Sequence, residues 1–289
     1  LPPLGAAPSS AQPACAPVAV GADRPLTLAY IPQENPEKLI GDISVISRYL
    51  EGELGIPVTG FVTLDQAAAI EALRNCTADV SFSGALPYVM AHELVGARVV
   101  LGEVLRGETI YHGRIFVRKD SGIETIEDLR GRSVSFSDPL SESGYLYPLD
   151  VLVQAGLLDE RDDPQTFFSR VFFSGGYQQS VEAVINGFVD AAGASEYVTV
   201  SLRPEQLEQV HWIAESAPIP THVVMVRGNL DAALTEAFAE AMLQMNEPAY
   251  RHLLRHVFSP DGYVRVSDDA FDGVRDLARR YNYLPPKAE

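Results

Sequence analysis

Twice along the chain, short runs of β-forming residues alternate with stretches whose apolar residues recur at helical spacing, and this alternation most constrains the fold. The first round opens with a strand at Leu26–Ile31, followed by an amphipathic helix over Glu37–Leu50 with Ile40, Ile43, Ile46 and Leu50 on one face. A strand at Ile56–Phe61 and a helix at Thr63–Asn75, with Thr63 as N-cap, come next. The apolar run Val80–Phe82 then opens into Ser83-Gly84 and a helix from Pro87. Strands at Val99–Leu105 and Thr109–Arg118 follow, the second long enough to carry the chain from one lobe into another. The pattern then restarts. Strands at Ser133–Phe136, Arg170–Phe173 and Val189–Ala192 alternate with helices ending at Ala155 and Asn186. Strands at Val210–Ala214 and Val223–Val226 flank a return crossing near Ser216–Thr221, and Leu230–Arg280 reads as helical. This order predicts an α/β fold of two lobes joined by two crossover strands, with a ligand cleft between them. Residues 25–113 and 220–289 form lobe 1, 114–219 form lobe 2, and 1–24, rich in Pro, Ala and Ser, form a flexible tether.

A formal net charge of −17 lacks the basic footprint that nucleic acid or an anionic membrane requires, so neither is an expected partner. An anionic ligand must then be held by local donors against the long-range field. No segment reaches the roughly 20 consecutive apolar residues of a membrane span. The two cysteines, Cys15 and Cys76, read either as one disulfide pinning the tail to the body or as two unrelated thiols. They lack metal-site spacing, and His252/His256, the one metal-like pair at i, i+4, has no carboxylate or third ligand nearby in the sequence and is expected on a solvated helix face.

The sharpest local feature is Ser137-Asp138-Pro139-Leu140-Ser141-Glu142-Ser143-Gly144, which leaves a strand and enters a helix. A helix N-terminus favours an anion, and Ser141 and Ser143 add hydroxyl donors; the bland alternative is that one of them only caps the helix. A second strand-to-helix loop, Ser174-Gly175-Gly176-Tyr177, places Tyr177 either toward a ligand or outward from a tight turn. Ser83 and Tyr88 stand at the corresponding strand end of the first lobe, and Tyr111 and His112 lie early on the crossover strand. No Gly-x-Ser-x-Gly elbow, P-loop, HExxH or dinucleotide fingerprint occurs, and no cofactor is expected.

The chain resembles the phosphate, phosphite and phosphonate substrate-binding proteins of ABC transporters, a type II periplasmic-binding fold. The resemblance runs from Leu26 to Leu277 and is carried by Ala29-Tyr30-Ile31-Pro32, Ala78-Asp79-Val80 before Ser83-Gly84 and Tyr88, and Val117-Arg118-Lys119-Asp120-Ser121-Gly122-Ile123. Asp138-Pro139 through Ser143-Gly144-Tyr145-Leu146 with Pro148, and Ser174-Gly175-Gly176, complete it. It implies a monomeric, extracytoplasmic protein, with or without a lipid anchor, that closes on a small oxyanion, delivers it to a membrane permease and catalyses nothing. It places Ser141, the Glu142 backbone and Ser143 on the oxyanion, with Tyr88 and Tyr111 near the cleft. Three positions depart from the family pattern: Glu142 within Ser-Thr-Ser, Tyr177 for a histidine, and Ser195, with Glu196 beside it, for an acidic residue. These changes make a less charged oxyanion, or a ligand with a cationic end facing Glu142 or Glu196, compatible with the site. Two rivals stand beside transport: a sensory binding protein of the same fold, and an enzyme using Glu142, Glu196 or His112 as acid or base.

Overall fold

The structure, a computed structural model, describes residues 19–32, 36–256 and 258–286. They form two compact units: an inner one of Tyr111–Ile219, and an outer one made of the chain up to Ile110 and from Pro220 onward. Tyr111, His112 and Gly113 therefore lie in the inner unit.

In chain order the outer unit begins with β1 (Leu26–Tyr30), α1 (Pro36–Leu54), β2 (Val58–Val62), α2 (Gln66–Arg74), β3 (Val80–Ser83), α3 (Ala85–Val95) and β4 (Arg98–Val104), and β5 (Ile110–Tyr111) leads out of it. The inner unit follows with β6 (Gly113–Arg118), β7 (Ser133–Phe136), α4 (Tyr147–Gln154), β8 (Arg170–Phe173), α5 (Tyr177–Ile185), β9 (Ala191–Ser195), α6 (Pro204–Leu207), β10 (Val210–Glu215) and β11 (Ile219–Pro220). The chain returns as β12 (Val223–Val226), α7 (Ala232–Gln244), β13 (Gly262–Arg265) and α8 (Asp272–Arg280).

The outer sheet has the order β13-β4-β12-β3-β1-β2. Its β1 pairs in parallel with β2 and β3, while β12 runs antiparallel to β3 and β4. Central strands covered on both faces need continuous apolar runs, which is why β12 reads Val-Val-Met-Val and is buried throughout. The core gathers Leu28, Tyr30, Phe82, Leu101, Val224, Phe238 and Met242. The inner sheet has the order β10-β6-β9-β7-β8, and Phe116, Val181, Val184, Ala192 and Val198 form one of its core clusters. The strands β5 and β11 form a separate two-stranded sheet.

Several sequence expectations are corrected. The buried stripe of α1 is Leu39, Ile43, Ile46 and Leu50, whereas Ile40 is exposed, because spacings of four, three and four keep a 3.6-residue helix in register with the core. Asp65, not Thr63, caps α2: its carboxylate accepts from the Ala68 amide at 2.7 Å, while the Thr63 hydroxyl donates to the carbonyls of Asp65 at 2.9 Å and Tyr30 at 3.2 Å. The expected strand Thr109–Arg118 is broken at His112, whose amide donates to Glu196 Oε1 at 3.0 Å instead of to a sheet ladder. The stretch expected to be helical to Arg280 contains β13, which pairs antiparallel with β4 from Gly262↔Val104 to Arg265↔Leu101. His256 is not on a solvated helix face; its Nδ1 lies 2.5 Å from Asp42 Oδ1.

Arg24, placed by composition in the tether, is tied to the body. Its guanidinium donates to both Asp79 carboxylate oxygens at 2.9 Å and to the Cys76 carbonyl at 2.8 Å. Cys76 is disulfide-bonded, which removes the alternative of two unrelated thiols, and Cys15, the other cysteine of the sequence, lies outside the described residues.

Candidate functional site

The serine-rich loop leaves β7 and folds on its own short-range bonds. The Asp138 carboxylate accepts from the Leu140 amide at 2.7 Å, and its carbonyl accepts from the Ser141 amide at 3.0 Å. Ser141 then caps a π-helical turn over Glu142–Leu146: its hydroxyl accepts from the Gly144 amide at 3.0 Å, and its carbonyl accepts from the Leu146 amide at 3.0 Å. Pro148 sits at the start of α4, where its missing N–H costs nothing.

Three glycines let this turn lie directly on the inner sheet. A Cβ on Gly113 of β6 would stand 2.6 Å from the Ser143 carbonyl oxygen, and one on Gly193 of β9 would stand 2.8 Å from that of Gly144. On Gly144 itself it would stand 1.8 Å from Ser137 Oγ, so only glycine fits there. The turn is consequently buried, with Ser137, Ser141, Glu142 and Ser143 between 0 and 3% exposed.

The second loop brings Tyr177 to the same place. Gly175 takes φ +86 and donates its amide to the Ser137 carbonyl at 2.7 Å, which clamps the two loops together. Tyr177 opens α5 and points inward: its Oη accepts from the hydroxyls of Ser143 at 3.0 Å and Ser141 at 3.5 Å. Tyr111, at the end of β5, is buried and donates from Oη to Glu142 Oε1 at 3.4 Å. Burial, reinforced by the Glu142 charge, pushes the Tyr177 phenol up to about 12. Burial, then Tyr177 and Glu142, holds the Tyr111 phenol well above its usual value. Both tyrosines therefore keep their protons at neutral pH and serve as donors. Ser141 is both a cap and a hydroxyl facing this cluster.

The remaining predicted residues separate from this cluster. Glu196 accepts from the His112 amide at 3.0 Å, lies 3.3 Å from His112 Nδ1, and pairs through Oε2 with Arg114 at 3.4 Å. Its carboxylate is thereby committed to holding the start of β6. Ser195 Oγ accepts from the Tyr197 amide at 3.2 Å, capping the turn after β9. In the outer unit, Tyr88 donates from Oη to Asp268 at 2.6 Å, and its ring meets that of Phe271 at 4.9 Å. Asp268 is in turn held by Arg275 at 2.6 Å, so Tyr88 ties α3 to the start of α8. Ser83 is fully buried at the end of β3, and its hydroxyl has no hydrogen-bond partner among the described residues.

Sequence reasoning named the loop that contains Ser137 but not Ser137 itself as a site residue. It is 3% exposed, and its hydroxyl has no hydrogen-bond partner among the described residues. The signal available was a polar residue directly after an apolar strand. The supporting glycines, Gly113 and Gly193, were also overlooked, although a glycine inside Ala-Ala-Gly-Ala-Ser marks a close backbone approach. Among the described residues, no three His, Cys, Asp or Glu side chains are grouped to hold a metal.

The model of a family described as the periplasmic phosphonate substrate-binding protein of ABC transporters matches residues 28–271. A phosphate-import protein, PhnD of Mycolicibacterium smegmatis, is 29% identical over 287 residues, covering 90% of this chain and 86% of that protein. The fold is shared with PhnD1 of Prochlorococcus marinus, solved in complex with methylphosphonate, at a TM-score of 0.80 and 18% identity over 90% of this chain and 98% of that one. It is also shared with a binding-protein component of an ABC phosphonate transporter from Pseudomonas aeruginosa, at a TM-score of 0.80 and 21% identity over 89% of this chain and 86% of that one. The chain thus belongs to the phosphonate substrate-binding family of ABC transporters: it has the type II periplasmic-binding fold and is an extracytoplasmic solute-binding protein, not an enzyme, that serves a membrane permease.

Proposed function

We propose that the protein captures a small phosphorus oxyanion, a phosphonate, phosphite or phosphate, on the hydroxyls of Tyr111, Ser141, Ser143 and Tyr177. The observation that carries this reading is the convergence of buried hydroxyls at one place: Tyr177 Oη lies 3.0 Å from Ser143 Oγ and 3.5 Å from Ser141 Oγ, and hydroxyl protons that bond within the cluster can turn to an entering anion. Such neutral donors suit a chain whose net charge of −17 repels anions at long range. The names of the relatives, phosphate import in one and bound methylphosphonate in another, support the same ligand class.

The proposal has the chain up to Ile110 and from Pro220 onward acting as one lobe and Tyr111–Ile219 as the other, with closure on the ligand marking the form that the permease accepts. It has the protein working as a monomer without nucleic-acid partners. Titration calorimetry with phosphate, phosphite and methylphosphonate tests it. One of them should bind, and Ser141→Ala with Ser143→Ala should cost about 1.5 to 3 kcal/mol for each hydrogen bond to the charged ligand. Unchanged affinity in the double variant would remove the serine loop from the site.

A further inference from the structure

The carboxylate of Glu142 stands among the donors of this site. It lies in the turn between Ser141 and Ser143, is 1% exposed, and takes the Tyr111 hydroxyl on Oε1 at 3.4 Å. An oxyanion held by Tyr111, Ser141, Ser143 and Tyr177 therefore brings one of its own oxygens against Glu142, rather than a remote part of the ligand. Two unprotonated acidic oxygens at such a distance in a buried site repel, and neither can donate to the other. One proton placed between them turns that repulsion into a charge-assisted hydrogen bond.

We infer that Glu142 and the bound oxyanion share one proton, so that the site takes the hydrogen-bearing form of a phosphorus oxyanion and disfavours an oxyanion of negligible basicity, such as sulfate. The inference rests on the ligand class proposed above and adds the ionisation state that the site selects. The groups around Glu142 are consistent with it. Tyr111 and Tyr177 face it and stay protonated through the neutral range. The strands and helix packed against its turn are β6, β9 and α4. On β6, Arg114 pairs with Glu215 and Glu196, and Arg118 pairs with Asp120. Directly after β9, Glu196 also meets His112, and on α4 Asp150 accepts from Gln154 at 3.5 Å.

The test is calorimetry of the wild-type protein with inorganic phosphate, methylphosphonate and sulfate from about pH 6 to about pH 8.5, in buffers of different ionisation enthalpy. The expected result is uptake of about one proton per methylphosphonate bound at the upper end, where its dianion carries none, with affinity falling by roughly tenfold per pH unit there, and no such uptake with phosphate, whose hydrogen phosphate ion already bears the shared proton. Sulfate should bind more weakly at neutral pH by on the order of a hundredfold or more. Glu142→Gln, checked for an unchanged melting curve, should abolish the proton uptake, flatten the pH profile and narrow the gap to sulfate, because an amide donates without a shared proton. His112→Asn should retain the uptake, which separates Glu142 from the His112–Glu196 pair. Methylphosphonate binding with no proton uptake and a flat profile would overturn the inference and leave the ligand class standing, as would uptake that persists in Glu142→Gln. A wild-type protein that binds neither phosphorus oxyanion tested would overturn the ligand class, and this inference with it.

Discussion

At the scale of single residues, the site depends as much on what is missing from certain side chains as on what is present. The hydroxyls of Ser141 and Ser143 reach Tyr177 because the turn that carries them lies on bare backbone at Gly113 and Gly193. Gly144 is the tightest point, with a Cβ there falling 1.8 Å from Ser137 Oγ. Gly144→Ala should therefore push the turn off the sheet, destabilising the protein by about 1 to 3 kcal/mol in urea unfolding and abolishing oxyanion binding, whereas a surface glycine such as Gly52 should tolerate the same change. The serine-rich loop between a strand and a helix was legible in the sequence as a candidate anion site, with a helix cap as its alternative, and Ser141 does cap the turn. The state of the carboxylates was not. Glu142 and Glu196 looked equivalent as acidic groups, and only side-chain packing shows Glu196 taken up by His112 and Arg114 while Glu142 sits among the donors.

At the scale of elements, β7 is the strand from which the site is built, and its start is held by Asp190. The Asp190 carboxylate accepts from the Ser133 hydroxyl at 2.6 Å and the Ser133 amide at 2.8 Å, joining β7 to the approach to β9. Partial burial acts to raise its pKa, but the two bonds from Ser133, with the Arg132 charge, outweigh it and leave the group below the usual aspartate value. A carboxyl depressed in the folded state contributes stability that is present above its unfolded pKa, about 3.9, and is lost as pH falls through the lower folded value. Its side chain is 39% exposed, so solvent screens much of that contribution. Asp190→Asn should lower the melting temperature by about 1 to 3 °C at neutral pH, and the difference from wild type should shrink steadily below about pH 4. Elements formed by local pattern, such as β7, β8 and β12, were read from sequence at their observed bounds. The strand β13 was not, because four residues acquire strand character only from β4, whose position far back in the chain leaves no periodic trace.

For the whole molecule, the dominant physical fact outside the site is its charge. A net charge of −17 opposes the approach of any anion until it is close enough to meet the hydroxyls. The range of that opposition is the Debye length, about 30 Å at 0.01 M salt and about 8 Å at 0.15 M. The association rate of phosphate or methylphosphonate, followed by stopped-flow fluorescence, should therefore rise several-fold over that range of salt, the opposite of a basic anion-binding protein. A falling rate would place a locally positive field at the entrance.

By itself the sequence determined the α/β class, the division into two rounds of alternation and the two strand-to-helix loops that carry Ser141, Ser143 and Tyr177. Each of these is written in local pattern, which does not require knowing which residues meet. Tertiary structure alone decided which hydroxyls converge on Tyr177, that Tyr88 is committed to Asp268, that Glu196 is committed to His112 and Arg114, and that Glu142 faces the donors. Those outcomes depend on side chains brought together from distant positions in the chain, so the fold had to form before their roles differed.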